Sequence, residues 1–242
     1  MAVGINTASV EADCDAPGVI GNGYAIGQIS TILDPQAFLV SATNPAVTAG
    51  GADEETDANL RERIKLAPAS FSNAGSRGAY TYWAKSANAN IIDVAITQPV
   101  PGTVNIYPLM ADGAVTPDAV LDSVEEICSA EKVRPLTDTV AVLAPTRSTY
   151  TLIINLTIYN TAIQSQVLAA VRSNMNDFIT NKRLKLGIDI KKSQIIHECV
   201  VEGVFDVAIL NGLSAFADLV ASETQYWFCS SLEVNVVGTT NG

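Results

Sequence analysis

Ile91-Ile92-Asp93-Val94-Ala95-Ile96-Thr97-Gln98-Pro99-Val100-Pro101-Gly102-Thr103-Val104-Asn105-Ile106 is the stretch whose reading decides the fold. Ile92, Val94 and Ile96 alternate with other residues, the period-two pattern of a strand. Gln98-Pro99-Val100-Pro101-Gly102 is a turn, since two prolines withhold amide donors and glycine accepts a tight reversal. Val104, Ile106 and Leu109 mark the return strand. Upstream, Ser76 is placed to cap a helix whose Tyr80, Trp83, Ala84 and Ala87 repeat at helical spacing. Downstream, Thr116-Pro117 opens another helix, cap then proline, with Val120, Leu121, Val124, Ile127 and Cys128 along its face. Thr139 to Leu143 reads as one more strand. Helix-strand-strand-helix-strand over residues 76–143 predicts a compact two-layer α+β unit.

Ala144-Pro145-Thr146 marks a boundary, and a second α+β unit follows. Tyr150, Leu152, Ile154, Leu156 and Ile158 alternate without a break, the clearest strand in the chain. Ile163, Val167, Val171, Met175 and Phe178 fit a long amphipathic helix. A short helix is expected near Ser193–Val200, then strands at Val204–Leu210, around Gln225–Cys229, and at Leu232–Val237. Before the first unit, Thr56 or Asp57 can cap a short helix through Lys65, with Leu60 and Ile64 on one face and Pro68 stopping it. Residues 1–49 show no helical period. Val3–Val10, Tyr24–Leu33 and Ala37–Ser41 are candidate strands, with turns at Asp15-Ala16-Pro17-Gly18 and Gly21-Asn22-Gly23. The expected class is therefore α+β: a small β-rich N-terminal region (1–49), a middle α+β domain (50–144) and a C-terminal α+β domain (145–242).

Composition narrows the function. The chain has 242 residues, 48% hydrophobic and 16% charged, with a net charge of −11. That is a chain with a core and not a disordered one. A nucleic-acid binder needs a basic stripe to neutralise phosphates, and the only cationic cluster runs from Lys182 to Lys192 in an acidic chain, so no direct nucleic-acid contact is expected. No apolar run reaches the roughly 18 residues of a membrane span, and the N-terminus lacks a basic stretch followed by an apolar one, so neither membrane insertion nor a secretory signal is expected. Cys14, Cys128, Cys199 and Cys229 are scattered without a CxxC pair, which reads as buried free thiols rather than a zinc site.

Few residues suggest chemistry. His197 is the only histidine, and Cys199 two positions away on a helix points elsewhere, so the pair makes a poor dyad. Asp53, Glu54, Glu55 and Asp57 lack the glycine and terminal glutamate of a calcium loop; carboxylates at a helix start favour the dipole instead. Gly21, Gly23 and Gly27 lack the spacing and context of a dinucleotide loop. No cofactor, metal or small-molecule substrate is expected. Among the aromatics, Tyr80 and Trp83 share the core-facing side of their helix, whereas Tyr82 falls on the opposite side and is the better contact candidate.

A second set of residues carries a resemblance. Thr43-Asn44-Pro45, Gly50-Gly51-Ala52-Asp53-Glu54-Glu55-Thr56-Asp57, Leu60-Arg61-Glu62-Arg63-Ile64 and Phe71-Ser72-Asn73-Ala74-Gly75-Ser76-Arg77-Gly78-Ala79-Tyr80 follow in order, then Ile92-Asp93-Val94, Pro101-Gly102-Thr103-Val104-Asn105-Ile106 and Val133-Arg134-Pro135-Leu136-Thr137-Asp138. In order and spacing these resemble the baseplate J-like family, the wedge components of contractile phage tails and related injection machines, over about residues 38–237. The resemblance implies a structural protein and not an enzyme. It implies a place in the baseplate, assembly in the host cytoplasm, and copies arranged in a sixfold ring around the tail hub. Implied partners are further copies, a tail-protein-I-like subunit and a lysozyme-related wedge protein. It also implies a ring that rearranges on host contact to trigger sheath contraction. Arg61, Arg63 and Arg77 match family positions, where arginine would bond carboxylates within the domain or across a subunit seam. Two departures stand out: a short N-terminal region, which in relatives belongs to a larger domain, and an apparent insertion at Gly212–Thr224. A surface- or glycan-binding module on the same particle is the alternative reading.

Overall fold

The hairpin at the centre of the chain forms as its pattern dictates. In a computed structural model describing residues 7–10, 12–71, 75–111 and 113–241, strand β1 (Ile91–Thr97) pairs antiparallel with β2 (Thr103–Met110), Ile96 opposite Ile106. The alternation is broken by a bulge between Ile91 and Asp93. The extra residue shifts the phase, so Ile91 and Ile96 are buried while Ile92 is only half-buried. Strand β3 (Thr139–Val142) joins β2 in parallel, giving sheet order β1-β2-β3.

Two helices cover this sheet. Helix α2 (Arg77–Ala87) starts where Ser76 Oγ accepts the Ala79 amide at 3.2 Å, and it buries Ala79, Tyr80 and Ala84. Helix α3 (Asp118–Ser129) buries Val120, Val124 and Cys128. Its start differs from expectation. Pro117 is the capping residue and has no side-chain bond, while the Thr116 hydroxyl donates to the Pro108 carbonyl at 2.7 Å. The hydroxyl lies only 4% exposed beside β2, and the buried carbonyl there competes successfully for it. Before α2, Thr56 caps helix α1 (Asp57–Leu66), and Pro68 falls in a 3₁₀ turn (Ala67–Phe71) rather than in an abrupt stop.

The second sheet is built on β4 (Thr146–Tyr159), where Tyr150, Leu152, Ile154, Leu156 and Ile158 all point into the core. Helix α4 (Gln164–Arg183) meets them with Val167, Val171, Met175 and Phe178, and α5 (Lys192–Cys199) adds Ile195 and Cys199. Strand β5 (Val204–Asn211) pairs antiparallel with β4, and the short β6 (Ser214–Ala215) extends β5. The two strands expected at Gln225–Cys229 and Leu232–Val237 are one, β7 (Gln225–Thr240), parallel to β4 from Thr146↔Gln225 to Tyr159↔Thr240. Register shifts along this pairing absorb the apparent break, and Ser230 Oγ donates to the Tyr150 carbonyl at 3.0 Å. The order is β6-β5-β4-β7. Helices and two mixed sheets make the fold α+β.

The chain divides into two units, Met1–Glu55 and Thr56–Gly242. Among the described residues of the first, none of the expected strands forms; residues 3–6 of the first candidate lie outside the description. Residues 21–29 and 44–51 run alongside each other, joined by main-chain bonds at Gly23–Thr48, Gly27–Asn44 and Thr48–Tyr24 that are too scattered to make a ladder, with polar side chains bonding between them. Asn44 Nδ2 donates to the Ala25 carbonyl at 3.0 Å, Thr48 Oγ1 to the Gly21 carbonyl at 2.6 Å, and Asn22 exchanges two bonds with Gly51. Alternating apolar residues raise strand propensity, but a strand needs a neighbour that takes its amides and covers a face. No described residue in this unit is buried.

Candidate functional site

The residues singled out in the sequence sit mostly on the α1–α2 side of the middle sheet. Arg61 lies on α1, 3.5 Å from Asp57 in an ion pair whose side chains are 70% and 87% exposed. Arg63, on the same helix, is half-buried and engaged within the chain. Tyr82 is half-buried, its ring edge-on to Trp83 at 5.2 Å. Arg77 opens α2 and lines an open cleft of about 340 Å³ with Thr81, Val94, Ala95, Ile96, Leu186, Gly187 and Glu223. Arg61, Arg63 and Tyr82 are not in its lining. One exposed cation and one exposed carboxylate are its charged members, with no thiol or imidazole among them.

The motif residues do converge, and what they build is scaffold. Tyr80 reaches from α2 to donate its hydroxyl to Asp138 Oδ2 at 3.1 Å. Burial, then that carboxylate, push the phenol well above its usual range. Arg134 donates to the Ser129 and Asp138 carbonyls at 2.9 and 2.6 Å, fastening the loop into β3. Gly75 packs against that loop with φ +68°, where a Cβ would come 2.8 Å from Pro135 and 2.9 Å from the Asp138 carboxylate. The spaced fragments 75–80 and 133–138 are thus two sides of one joint.

Two residues to which the sequence assigned no bonding role, Asp93 of the Ile92-Asp93-Val94 fragment and Tyr226, tie the middle sheet to the C-terminal part of the chain. Asp93 Oδ1 accepts its neighbour Val94's amide at 3.0 Å, and Oδ2 accepts the Leu186 amide at 2.9 Å. The Tyr226 hydroxyl, buried, donates toward the Gly113 and Ala114 carbonyls at 3.1 and 3.3 Å. A carboxylate within an apolar strand was the available signal for Asp93; Tyr226 offered none beyond its size.

The other candidate chemistry disperses. His197 is exposed and Cys199 fully buried, so the two face apart on α5. Asp53 Oδ1 accepts the Val19 amide at 3.2 Å. Among the described residues no group of three His, Cys, Asp or Glu is placed to hold a metal, and no helix is long and apolar enough to cross a membrane. The four thiols are free, and Cys14 is exposed, against the expectation of burial; none of the described residues of its unit is buried.

Comparison with known proteins places this geometry. The model of the Baseplate J-like central domain matches residues 72–144, and that of the Baseplate J-like protein barrel domain matches residues 1–51. Baseplate protein J of Escherichia phage P2 is 33% identical over 222 residues, which is 91% of this chain and 70% of the phage protein. A chain in the cryo-EM structure of the anti-feeding prophage baseplate, 6-fold symmetrised, aligns over 84% of this chain with a TM-score of 0.50 and 12% identity, a likeness of fold. This chain spans about half (48%) of that one's length. An α+β scaffold with these matches defines a baseplate protein. The chain belongs to the baseplate J-like family.

Proposed function

We propose that the chain is a wedge subunit of a contractile tail baseplate, a structural part with no catalytic role. The observation that carries this reading is the 33% identity to the phage P2 protein across 91% of the chain. In this role copies assemble around the tail hub in a ring, with a tail-protein-I-like subunit and a lysozyme-related wedge protein as neighbours, after synthesis in the host cytoplasm. The ring rearranges on host contact and so triggers sheath contraction. The middle (50–144) and C-terminal (145–242) domains act as rigid bodies, and Ala144-Pro145-Thr146 is the hinge between them. Rotation there must break the Asp93–Leu186 and Tyr226–Gly113 bonds, which supports a two-state joint rather than a loose one.

A tagged copy expressed in the producing host, pulled down and read by mass spectrometry, tests the role. Recovery of other wedge, hub and sheath-proximal tail proteins is expected. Recovery of none from a lysate that contains assembled tails overturns it.

A further inference from the structure

Residues 212–224 fold back on the start of α5, and the bonds that hold them there are reciprocal. Leu219 and Ile190 exchange main-chain bonds, each 2.9 Å long. On one side of this bridge Asp189 Oδ1 accepts the Ala221 amide at 3.0 Å, and on the other Asp218 Oδ1 accepts the Lys192 amide at 2.9 Å. Their remaining oxygens face one ammonium, since Lys191 Nζ lies 3.2 Å from Asp189 Oδ2 and 3.8 Å from Asp218 Oδ2. The Ala221 amide, then Lys191, hold the Asp189 carboxyl below its usual range, as bonds to the charged form do. Lys182 Nζ donates to the Asp189 carbonyl at 3.3 Å. Two members of the cationic cluster are thus engaged within the chain. Ion pairs this open to solvent add little, so the main-chain amides carry the clasp.

Each clasped segment also reaches the middle domain. In residues 186–192 the Leu186 amide is bonded to Asp93, and in residues 218–226 Tyr226 is bonded to Gly113 and Ala114. The second segment also holds the end of the linker: the Thr224 carbonyl accepts the Thr146 amide at 2.9 Å, and Gln225 Nε2 donates to Ser148 Oγ at 2.6 Å. Gly187 donates its amide to the Gln225 carbonyl at 2.9 Å, so the two segments are joined beside the joint as well as at the bridge. Only residues 187–188 separate Leu186 from Asp189, and only residues 222–225 separate Ala221 from Tyr226. Spans this short have little slack, at most about 3.6 Å per residue, so a rotating joint pulls on the clasp.

We propose that residues 212–224 are a strap whose clasp on residues 189–192 holds the joint between the middle and C-terminal domains closed, so that strap release and joint opening are one event. The inference rests on the hinge proposed above and names what restrains it. A joint held only by the Asp93 and Tyr226 bonds would open by breaking those alone. Tied through the clasp, it must also break the Ile190–Leu219 bridge and both carboxylate–amide bonds, which makes its two states discrete. Phe216, 4% exposed and edge-on to Tyr150 at 6.5 Å, anchors the other end of the strap in the C-terminal core. A released strap therefore pivots there and can close again.

Amide hydrogen exchange of the full chain, read residue by residue by NMR, tests the coupling in both directions. Asp218→Ala, at an exposed position, removes the acceptor of the Lys192 amide. Exchange of the Leu186 amide, whose partner lies across the joint, is then expected to rise about tenfold, a usual size for coupling between sites. Asp93→Ala cuts the joint instead, and exchange at Leu219 and Ala221 is expected to rise by the same factor, because coupling is reciprocal. The β4 amides report global opening and should change far less in both variants. A rise confined to the segment altered, or an equal rise in β4, would overturn the clasp. The hinge fails separately: in the unaltered chain, a Leu186 amide as slow as those of β4 would mean a joint that does not open by itself, and the clasp would fall with it. Neither result touches the pull-down, which reads the baseplate role.

Discussion

Cys128 and Cys199 are fully buried, one in each core, whereas Cys229 is half-buried and Cys14 is exposed. Burial pushes the Cys128 thiol up to about 12, and burial with the nearby Glu198 charge does the same for Cys199. The fold thus favours the neutral thiols over an unfolded-state value near about 8.5. Their contribution is complete below that value and is lost as pH rises through the window toward 12. Iodoacetamide at pH 8 is expected to modify Cys14 first and to leave Cys128 and Cys199 untouched until denaturant is added; mass spectrometry of the alkylated peptides reads this directly. Thermal unfolding should shift to lower temperature as pH passes from 9 to 12, and labelling of both buried thiols in the native state would contradict the packing.

Local pattern was enough wherever an element buries one regular face. The unbroken alternation from Tyr150 to Ile158 and the helical spacing from Val167 to Phe178 specify β4 and α4, because period and burial coincide there. Legibility fails where a third party decides. Leu60 and Ile64 share a face as expected, but spacing cannot say whether that face looks in or out. Ser230 and Ser231 read as a break, yet a long parallel neighbour and a bulge carry β7 straight through them. Arg77's cleft and the Asp93 bond depend on residues about a hundred positions away, beyond any local signal. Thr116 is the instructive case, having the chemistry of a cap and the environment of a tie. Replacing it by valine removes the donor to the buried Pro108 carbonyl and is expected to cost about 1–3 kcal/mol. A lost cap in an exposed helix would instead cost about 1 kcal/mol. The urea midpoint measures the difference, and an unchanged midpoint would show that the tie contributes nothing.

Across the whole molecule, protection should be uneven. The described part of Met1–Glu55 has no buried residue, while β4 and β7 share fourteen paired positions over a continuous core. Opening free energies run from about zero in such uncovered segments to the global value in core strands. Hydrogen exchange of the dilute chain is expected to be complete within seconds over residues 7–55 and slowest over β4. Comparable protection in both would mean that the first unit has an interior of its own. The same β4–β7 pairing also sets a schedule for synthesis. Asn160 and Asn241 touch across 81 positions of sequence, and a ribosome adding about 5–20 residues per second needs several seconds to cover that gap. Through that interval β4 lacks β7 along one edge, and until β5 (Val204–Asn211) is made it lacks a partner on both. A message cut short before codon 225 would therefore yield a polypeptide in which one edge of β4 stays without its partner, an open template for pairing with another chain.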